Sequence, residues 1–451
     1  MQFISTRGGA PVGIDAALVA GLAPDGGLYI PTAIPRLSAA PAGASLAETA
    51  QAVLAPYFAH SRLREALPAI CREAFDFPAP LVPLHGAGDH LLELFHGPTA
   101  AFKDYAARFL ALCLVGLRDP SHAPTTILVA TSGDTGAAVG AAFHGRPGFR
   151  VAILYPDGRV SPRQARGLEC FGDNVRTFRV AGSFDDCQAM VKQALGDAAL
   201  RERVPLGSAN SISLGRWLPQ MAYYAHSALA HQARHGHPLN FIVPTGNLGN
   251  AMAALLARRM GLPIGEIVLA CNANDVLPRY FGGADYRPEP SVATLANAMD
   301  VGAPSNFERL RALHRDDDDA RASMRAFGVD DATIRSTIRT APARHGVVPC
   351  PHTAVGLHVL ERLRADGDTR PWAVVATAHA AKFETIVEPL VEHAVTPPEA
   401  LAHWLARPAH AQPLAADVDS LRVQLLQWDA QAPPRADGIA ARDEWAAFRC
   451  V

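Results

Sequence analysis

The chain has 451 residues, 49% of them apolar, enough to bury a large core shared among two or three domains. Its 41 lysines and arginines nearly balance 43 acidic residues, so it offers no net basic field to nucleic acid or to an anionic membrane surface. Cys71, Cys113, Cys170, Cys187, Cys271, Cys350 and Cys450 are scattered without a C-x-x-C pair, and the segment from Met1 to Gly8 has no apolar signal core; together these exclude a disulfide framework, a zinc site and a membrane span, and predict a soluble cytoplasmic protein.

In chain order, residues 1 to about 85 carry two glycine-rich pieces, Ser5-Thr6-Arg7-Gly8-Gly9 and Asp25-Gly26-Gly27-Leu28-Tyr29-Ile30-Pro31, which read as turns. Ser45-Leu46-Ala47-Glu48 is a capping-box pattern, and Leu46, Ala50, Val53 and Leu54 share one face of the helix it opens. Phe95-His96-Gly97-Pro98-Thr99-Ala100-Ala101-Phe102-Lys103-Asp104 is a turn leading into a helical stretch from Asp104 to Leu117, with Thr99 able to accept backbone N–H bonds. Lys103 falls at the helix start, where the partial positive charge of the backbone and the apolar Phe102 both disfavour the ammonium form. Such an amine is either a nucleophile able to form a Schiff base or an ordinary helix lysine in solvent.

From about residue 125 the pattern is β-α-β: strand Thr126 to Ala130, helix Ala137 to Phe143, strand Val151 to Tyr155. Alternating strands and helices predict doubly wound α/β domains built on parallel sheets. Thr131-Ser132-Gly133-Asp134-Thr135 lies between the first strand and its helix, as an anion site at a helix N-terminus or a turn capped by Asp134. Ser161-Pro162-Arg163-Gln164 opens a further helix, and Asn210 and Arg216 flank a Ser/Gly segment. The strand Asn240 to Pro244 runs into Gly246-Asn247-Leu248-Gly249-Asn250, whose consecutive N–H groups suit a phosphate dianion or, equally, a tight helix entry. It is neither a Walker loop nor G-x-G-x-x-G. Asn306 caps a helix, Asp316 to Asp319 reads as a solvated loop and not a metal site, and His352 reads as a packed or capping histidine. The apolar strand from Trp372 ends in Thr377, at the carboxyl end where open sheets bind ligands. Beyond about 385 the chain, broken by Pro397-Pro398, Pro408 and Pro433-Pro434, reads as a helical covering tail.

These pieces, in this order, resemble the long-form threonine synthases, pyridoxal phosphate (PLP) enzymes of fold type II with the tryptophan synthase β-like architecture. The resemblance runs from Ser5 to about Phe383, departing at Ser213, Leu214 and Ala380. It implies two doubly wound α/β domains plus an N-terminal subdomain: 1–85, a large PLP-binding domain of 86–125 with 215–390, a smaller domain of 126–214, and a tail of 391–451. It makes Lys103 the lysine joined to the cofactor, Gly246, Asn247, Leu248, Gly249 and Asn250 the phosphate site, and Thr377 the partner of the ring nitrogen. Thr131, Ser132, Gly133, Asp134 and Thr135 then hold the substrate carboxylate, and Ser161, Asn210 and Arg216 the leaving phosphate. The implied reaction converts O-phospho-L-homoserine and water to L-threonine and phosphate by γ-elimination and β-addition under a closing lid, in a monomer or homodimer. Alternatives are a related phospho-lyase releasing a keto acid, a silent PLP-binding relative, or a dinucleotide oxidoreductase, which lacks its glycine motif here.

Overall fold

Apolar runs that each end in a glycine turn and a helix cannot pair locally, so they assemble side by side. The computed structural model describes residues 1–37, 43–86 and 88–430, and in it these runs form two open sheets. The large sheet has the order Arg325–Gly328, Ile264–Cys271, Leu239–Pro244, Trp372–Ala376, Asp89–Glu93, Leu81–Pro83. All neighbours are parallel except the last pair. The smaller sheet, Ala411–Leu414, Val175–Val180, Phe149–Pro156, Thr125–Ala130, Leu206–Ser208, is parallel throughout. Phe149–Pro156 and Leu239–Pro244 are buried at every position, as expected of strands covered on both faces.

The helix Lys103–Leu117 is buried over most of its surface and packs on Asp134–Phe143, Leu67–Ala74 and Leu214–Trp217, so its first residue is anchored in the interior. Helix Leu46–Phe58 has the expected start: Ser45 Oγ accepts from Glu48 N at 3.2 Å and Glu48 Oε2 accepts from Ser45 N at 2.8 Å. Leu46, Ala50, Val53 and Leu54 are all buried, and the helix packs on Met221–His235.

Three readings change. The N-terminal glycine-rich pieces hold the expected turns and also supply strand residues of a three-stranded antiparallel sheet, Gly8–Gly13, Gln2–Ser5, Tyr29–Pro31. The region expected to be a helical tail adds the strand Ala411–Leu414 to the smaller sheet; its short length and Pro413 hide an edge strand from pattern reading. Asp316 caps a short helix, Asp317–Arg321, where a loop was expected; Asp316 and Asp318 are solvent-exposed as expected, and Asp317, Asp318 and Asp319 pair with Arg311, Arg321 and Arg315. Pro433-Pro434 and Cys450 lie outside the described residues, and the other cysteines are free and buried. No helix among the described residues is long and apolar enough to cross a membrane.

Replacing Ser45 by alanine removes one half of the capping box and should lower stability by about 1 kcal/mol. The expected readout is a lower denaturant midpoint at unchanged slope; an unchanged midpoint would show that the cap contributes nothing.

Candidate functional site

Three adjacent parallel strands deliver the candidate residues to one edge of the large sheet. Trp372–Ala376 is flanked by Asp89–Glu93, with Ala376 opposite Glu93, and by Leu239–Pro244, with Val374 opposite Ile242. Beyond their carboxyl ends Trp372–Ala376 leads to Thr377, Asp89–Glu93 to Lys103 and Leu239–Pro244 to Gly246–Asn250. The two outer strands are therefore two strand spacings apart, roughly 10 Å, a gap one small molecule can bridge. Phe102 N donates to Thr377 O (2.9 Å) and His379 N to Ala100 O (3.1 Å), which ties Lys103 directly beside Thr377.

The turn before Lys103 is held by a buried carboxylate. Thr99 does not accept backbone N–H groups as expected: its Oγ1 donates to Asp104 Oδ1 at 2.5 Å and its N–H to Asp104 Oδ2 at 2.9 Å. The Lys103 side chain is 14% exposed, with Nζ 3.9 Å from Asp134 Oδ2 and 5.7 Å from the Phe102 ring centroid. Burial pulls its pKa down to about 8; Asp134 opposes the shift, while the charges of Lys382 and Arg216 add to it.

Asp134 is the first residue of the helix Asp134–Phe143 and not its cap; Gly133, at φ 136, occupies that position. Its carboxylate turns to the two lysines, with Oδ1 2.6 Å from Lys382 Nζ. Burial alone would push this acid up, but Lys382 and then Lys103 outweigh burial and hold it well below the usual carboxylate range. Thr131 Oγ1 accepts from Gly133 N (3.0 Å) and Gly136 N (2.9 Å) and so fixes the loop, Ser132 O accepts from Asn297 Nδ2 (3.5 Å), and Thr135 is half-buried in the first helical turn.

In the second loop, a Cβ on Gly246 would lie 2.7 Å from Met299 Cα, so only glycine fits there. Asn247 Nδ2 donates to Ser211 Oγ at 2.9 Å, Leu248 is left-handed at φ 63, and Gly249 begins the helix Gly249–Arg259. The Asn250 amide is committed to Tyr223 Oη (3.0 Å) and the Tyr224 hydroxyl, which leaves the loop only its backbone at that residue. Thr377 is buried at the end of its strand.

The remaining candidates lie close by but are partly engaged. Ser161 caps Pro162–Glu169, and its hydroxyl donates to Lys382 O at 2.8 Å, which anchors the Lys382 segment. Asn210 is half-buried, with its carbonyl accepting from Ser213 N (3.1 Å). Arg216 is buried, donates through one terminal nitrogen to Ala209 O at 2.6 Å, and has its pKa pushed down to about 10 by burial. Arg216 Nε, Ser213 Oγ, Gln164 Nε2 and Asn297 Oδ1 are buried without a hydrogen-bond partner, a concentration of unmet polar atoms that a polar ligand would relieve.

Sequence reasoning missed Lys382, Gln164 and Asn297. Lys382, 4% exposed, also donates to Thr99 O at 2.8 Å; a lysine amid the apolar Ala380-Ala381 and Phe383 was the available signal. Gln164 lies over Gly133, and nothing in a helix-opening Pro-Arg-Gln announces that. His352 is a packed histidine whose Nε2 accepts from Ala298 N at 3.1 Å; burial pulls its pKa down to about 4.

A pyridoxal-phosphate dependent enzyme family matches residues 74–380, a threonine synthase N terminus 2–75 and a threonine synthase C-terminal region 353–424. A buried amine of lowered pKa, a glycine cradle two strands away and a strand-end hydroxyl between them fit the ends of PLP, and with the two helix-covered, mainly parallel sheets they make this a PLP-dependent enzyme of fold type II. The chain is 37% identical to the threonine synthase of Haemophilus influenzae over 410 residues, covering 90% of this chain and 95% of that one. Among solved structures, threonine synthase from Escherichia coli aligns with TM-score 0.86 and 35% identity over 95% of this chain and 100% of that one. PLP-bound threonine synthase from Brucella melitensis aligns with TM-score 0.87 and 34% identity over 96% and 100%. The chain belongs to the threonine synthase family.

Changing Lys382 to methionine leaves Asp134 with Lys103 as its one close lysine and removes a repelling charge, so the Lys103 amine should become more basic. Amine modification of the apoprotein at Lys103, followed by mass spectrometry across pH, should show a midpoint near the parent's value of about 8 moving to higher pH. A midpoint that stays or falls would refute the shared-carboxylate arrangement.

Proposed function

We propose that this enzyme makes L-threonine and phosphate from O-phospho-L-homoserine and water, with Lys103 as the residue that carries the cofactor and moves protons. The observation that supports this most is the convergence of Lys103, Thr377 and Gly246–Asn250 on three neighbouring strand ends. When bound, PLP supplies an electron sink conjugated to the substrate's α-carbon.

Lys103 Nζ, with a pKa of about 8, is poised to take the α-proton near neutral pH and to return it later. Asp134 remains ionised through Lys382, so Lys103 is not obliged to stay protonated as its counterion. Thr131, Ser132, Gly133, Asp134 and Thr135 present a helix N-terminus to the substrate carboxylate, with Thr131 fixing the loop. The backbone of Gly246, Asn247, Leu248, Gly249 and Asn250 receives the cofactor phosphate. Thr377 offers the ring nitrogen a hydroxyl in place of an acid; nothing anionic then stabilises a proton there, which steers away from transamination. Arg216 and Asn210 face the departing phosphate, and Ser161 contributes by anchoring Lys382. The segment through Asn297 and Met299 touches both loops and excludes water while phosphate leaves.

We infer the domain division 1–85, 86–125 with 215–390, and 126–214; the two sheets support it except that Leu81–Pro83 joins the large sheet and Thr125 the smaller one, and Ala411–Leu414 attaches part of 391–451 to the smaller domain. Buried free cysteines suit a reducing cytoplasm, and we infer that a monomer or homodimer acts there.

The purified holoenzyme should be yellow, and borohydride reduction followed by peptide mapping should place the pyridoxyl group on Lys103. Lys103→Ala should lose turnover by a factor of about 10³ or more. Phosphate release with a keto acid in place of threonine would favour a phospho-lyase, and a label on another lysine would overturn the assignment of Lys103.

A further inference from the structure

The two N-terminal glycine-rich pieces have no place in the reaction as described, yet they are pinned in the same direction as the cofactor cradle. They are first tied to each other. Thr6 N donates to Leu28 O (2.8 Å), Leu28 N to Thr6 Oγ1 (2.9 Å), and Asp25 Oδ1 accepts from both Ser5 Oγ (2.7 Å) and Gly27 N (2.8 Å). From this platform Arg7 grips both oxygens of Glu308 in a fork, at 3.0 and 3.2 Å. The carbonyl of Tyr29 accepts from Arg309 Nε at 3.1 Å.

Arg309 is fully buried without a carboxylate against it. Its guanidinium donates to the carbonyls of Tyr29 and Ile212 and to Asn306 Oδ1 (2.7 Å), and lies 4.6 Å from the Trp217 ring. Burying such a charge is costly, and its five donors in a rigid plane are what a joint between three separate segments requires. Because Arg309 occupies Asn306 Oδ1, the Asn306 amide has one orientation, with Nδ2 donating to Asn247 O at 2.9 Å. The peptide between Asn247 and Leu248 is planar with its C=O and N–H opposed, so pinning that oxygen toward Asn306 points the Leu248 N–H the other way. The same bond restrains Leu248 in its left-handed conformation, which a leucine rarely adopts.

We propose that Asn306 and Arg309 are positioning residues for the PLP phosphate, and that the N-terminal subdomain serves as their outer support through Tyr29. The inference rests on the cofactor reading of Gly246–Asn250 and adds to it the element that holds that loop in binding shape.

The test compares PLP with pyridoxal, which has the same aldehyde and ring but no phosphate, by titrating full-length apoprotein and following the absorbance of the bound aldehyde. Asn306→Asp is nearly isosteric and keeps an acceptor for Arg309 but replaces the donor to Asn247 O with a carboxylate, so the neutral Asn306→Leu, which lacks the same donor, is run beside it. Asn306→Asp should bind PLP about tenfold more weakly while its pyridoxal affinity stays within about twofold of the parent's, and Asn306→Leu should shift both affinities in the same way. Arg309→Met should shift PLP in the same direction, and the thermal melt of each variant separates this from loss of fold. If Asn306→Asp binds PLP as the parent does, or loses PLP and pyridoxal affinity equally, the positioning role is overturned. A parent that binds neither aldehyde overturns the cofactor reading, and this proposal with it.

Discussion

One buried carboxylate governs the chemistry of the site. Asp134 lies inside the protein with an amine on either side, Lys382 in direct contact and Lys103 farther off. Stripping a buried carboxylate of its partner costs about 3–5 kcal/mol, so an acid paired with Lys103 alone would hold that lysine charged. With Lys382 in direct contact with Asp134, Lys103 can shed its proton without leaving that carboxylate stranded. The second lysine thus acts on the first in two ways, by the repulsion of its charge and by satisfying their common neighbour.

The sheet sets where this can happen. Parallel strands deliver successive chain segments to the same edge, and the crossover helices keep both faces dry, so the charges lie in a medium where they act strongly. The Asp134 loop belongs to the smaller sheet and the lysines to segments beside the large one, which makes the ion pair also a bond between the two halves. Met299 against Gly246 and Asn297 against Ser132 extend the same joint over the top.

What the sequence disclosed and what it withheld follow from range. The loops at Gly133 and Gly246 and the Lys103 helix are local patterns, in which glycine turns, apolar runs and caps carry their own physical explanation within a dozen residues. The pairing of Asp134 with Lys382, the grip of Asn306 on Asn247 and the commitment of Asn250 to two tyrosines join residues distant in the chain or on neighbouring helices. No periodicity reports them. Asn250 is the instructive case: its place in the loop was legible, while the direction of its side chain depended on tyrosines of another helix. The strands Gln2–Ser5 and Ala411–Leu414 were too short to stand out from the turns around them.

The position of Trp372–Ala376 bears on how the molecule is made. This strand enters the large sheet between Asp89–Glu93 and Leu239–Pro244, so the two flanking strands have no native neighbour joining them until most of the chain has left the ribosome. A nascent chain stopped before it has an unfilled slot near the centre of the sheet, with one edge of each of two short strands unpaired, and closing contacts of such sequence separation is slow. Unpaired strand edges template wrong pairings, so the interval before Trp372–Ala376 docks is when this sheet is most open to them.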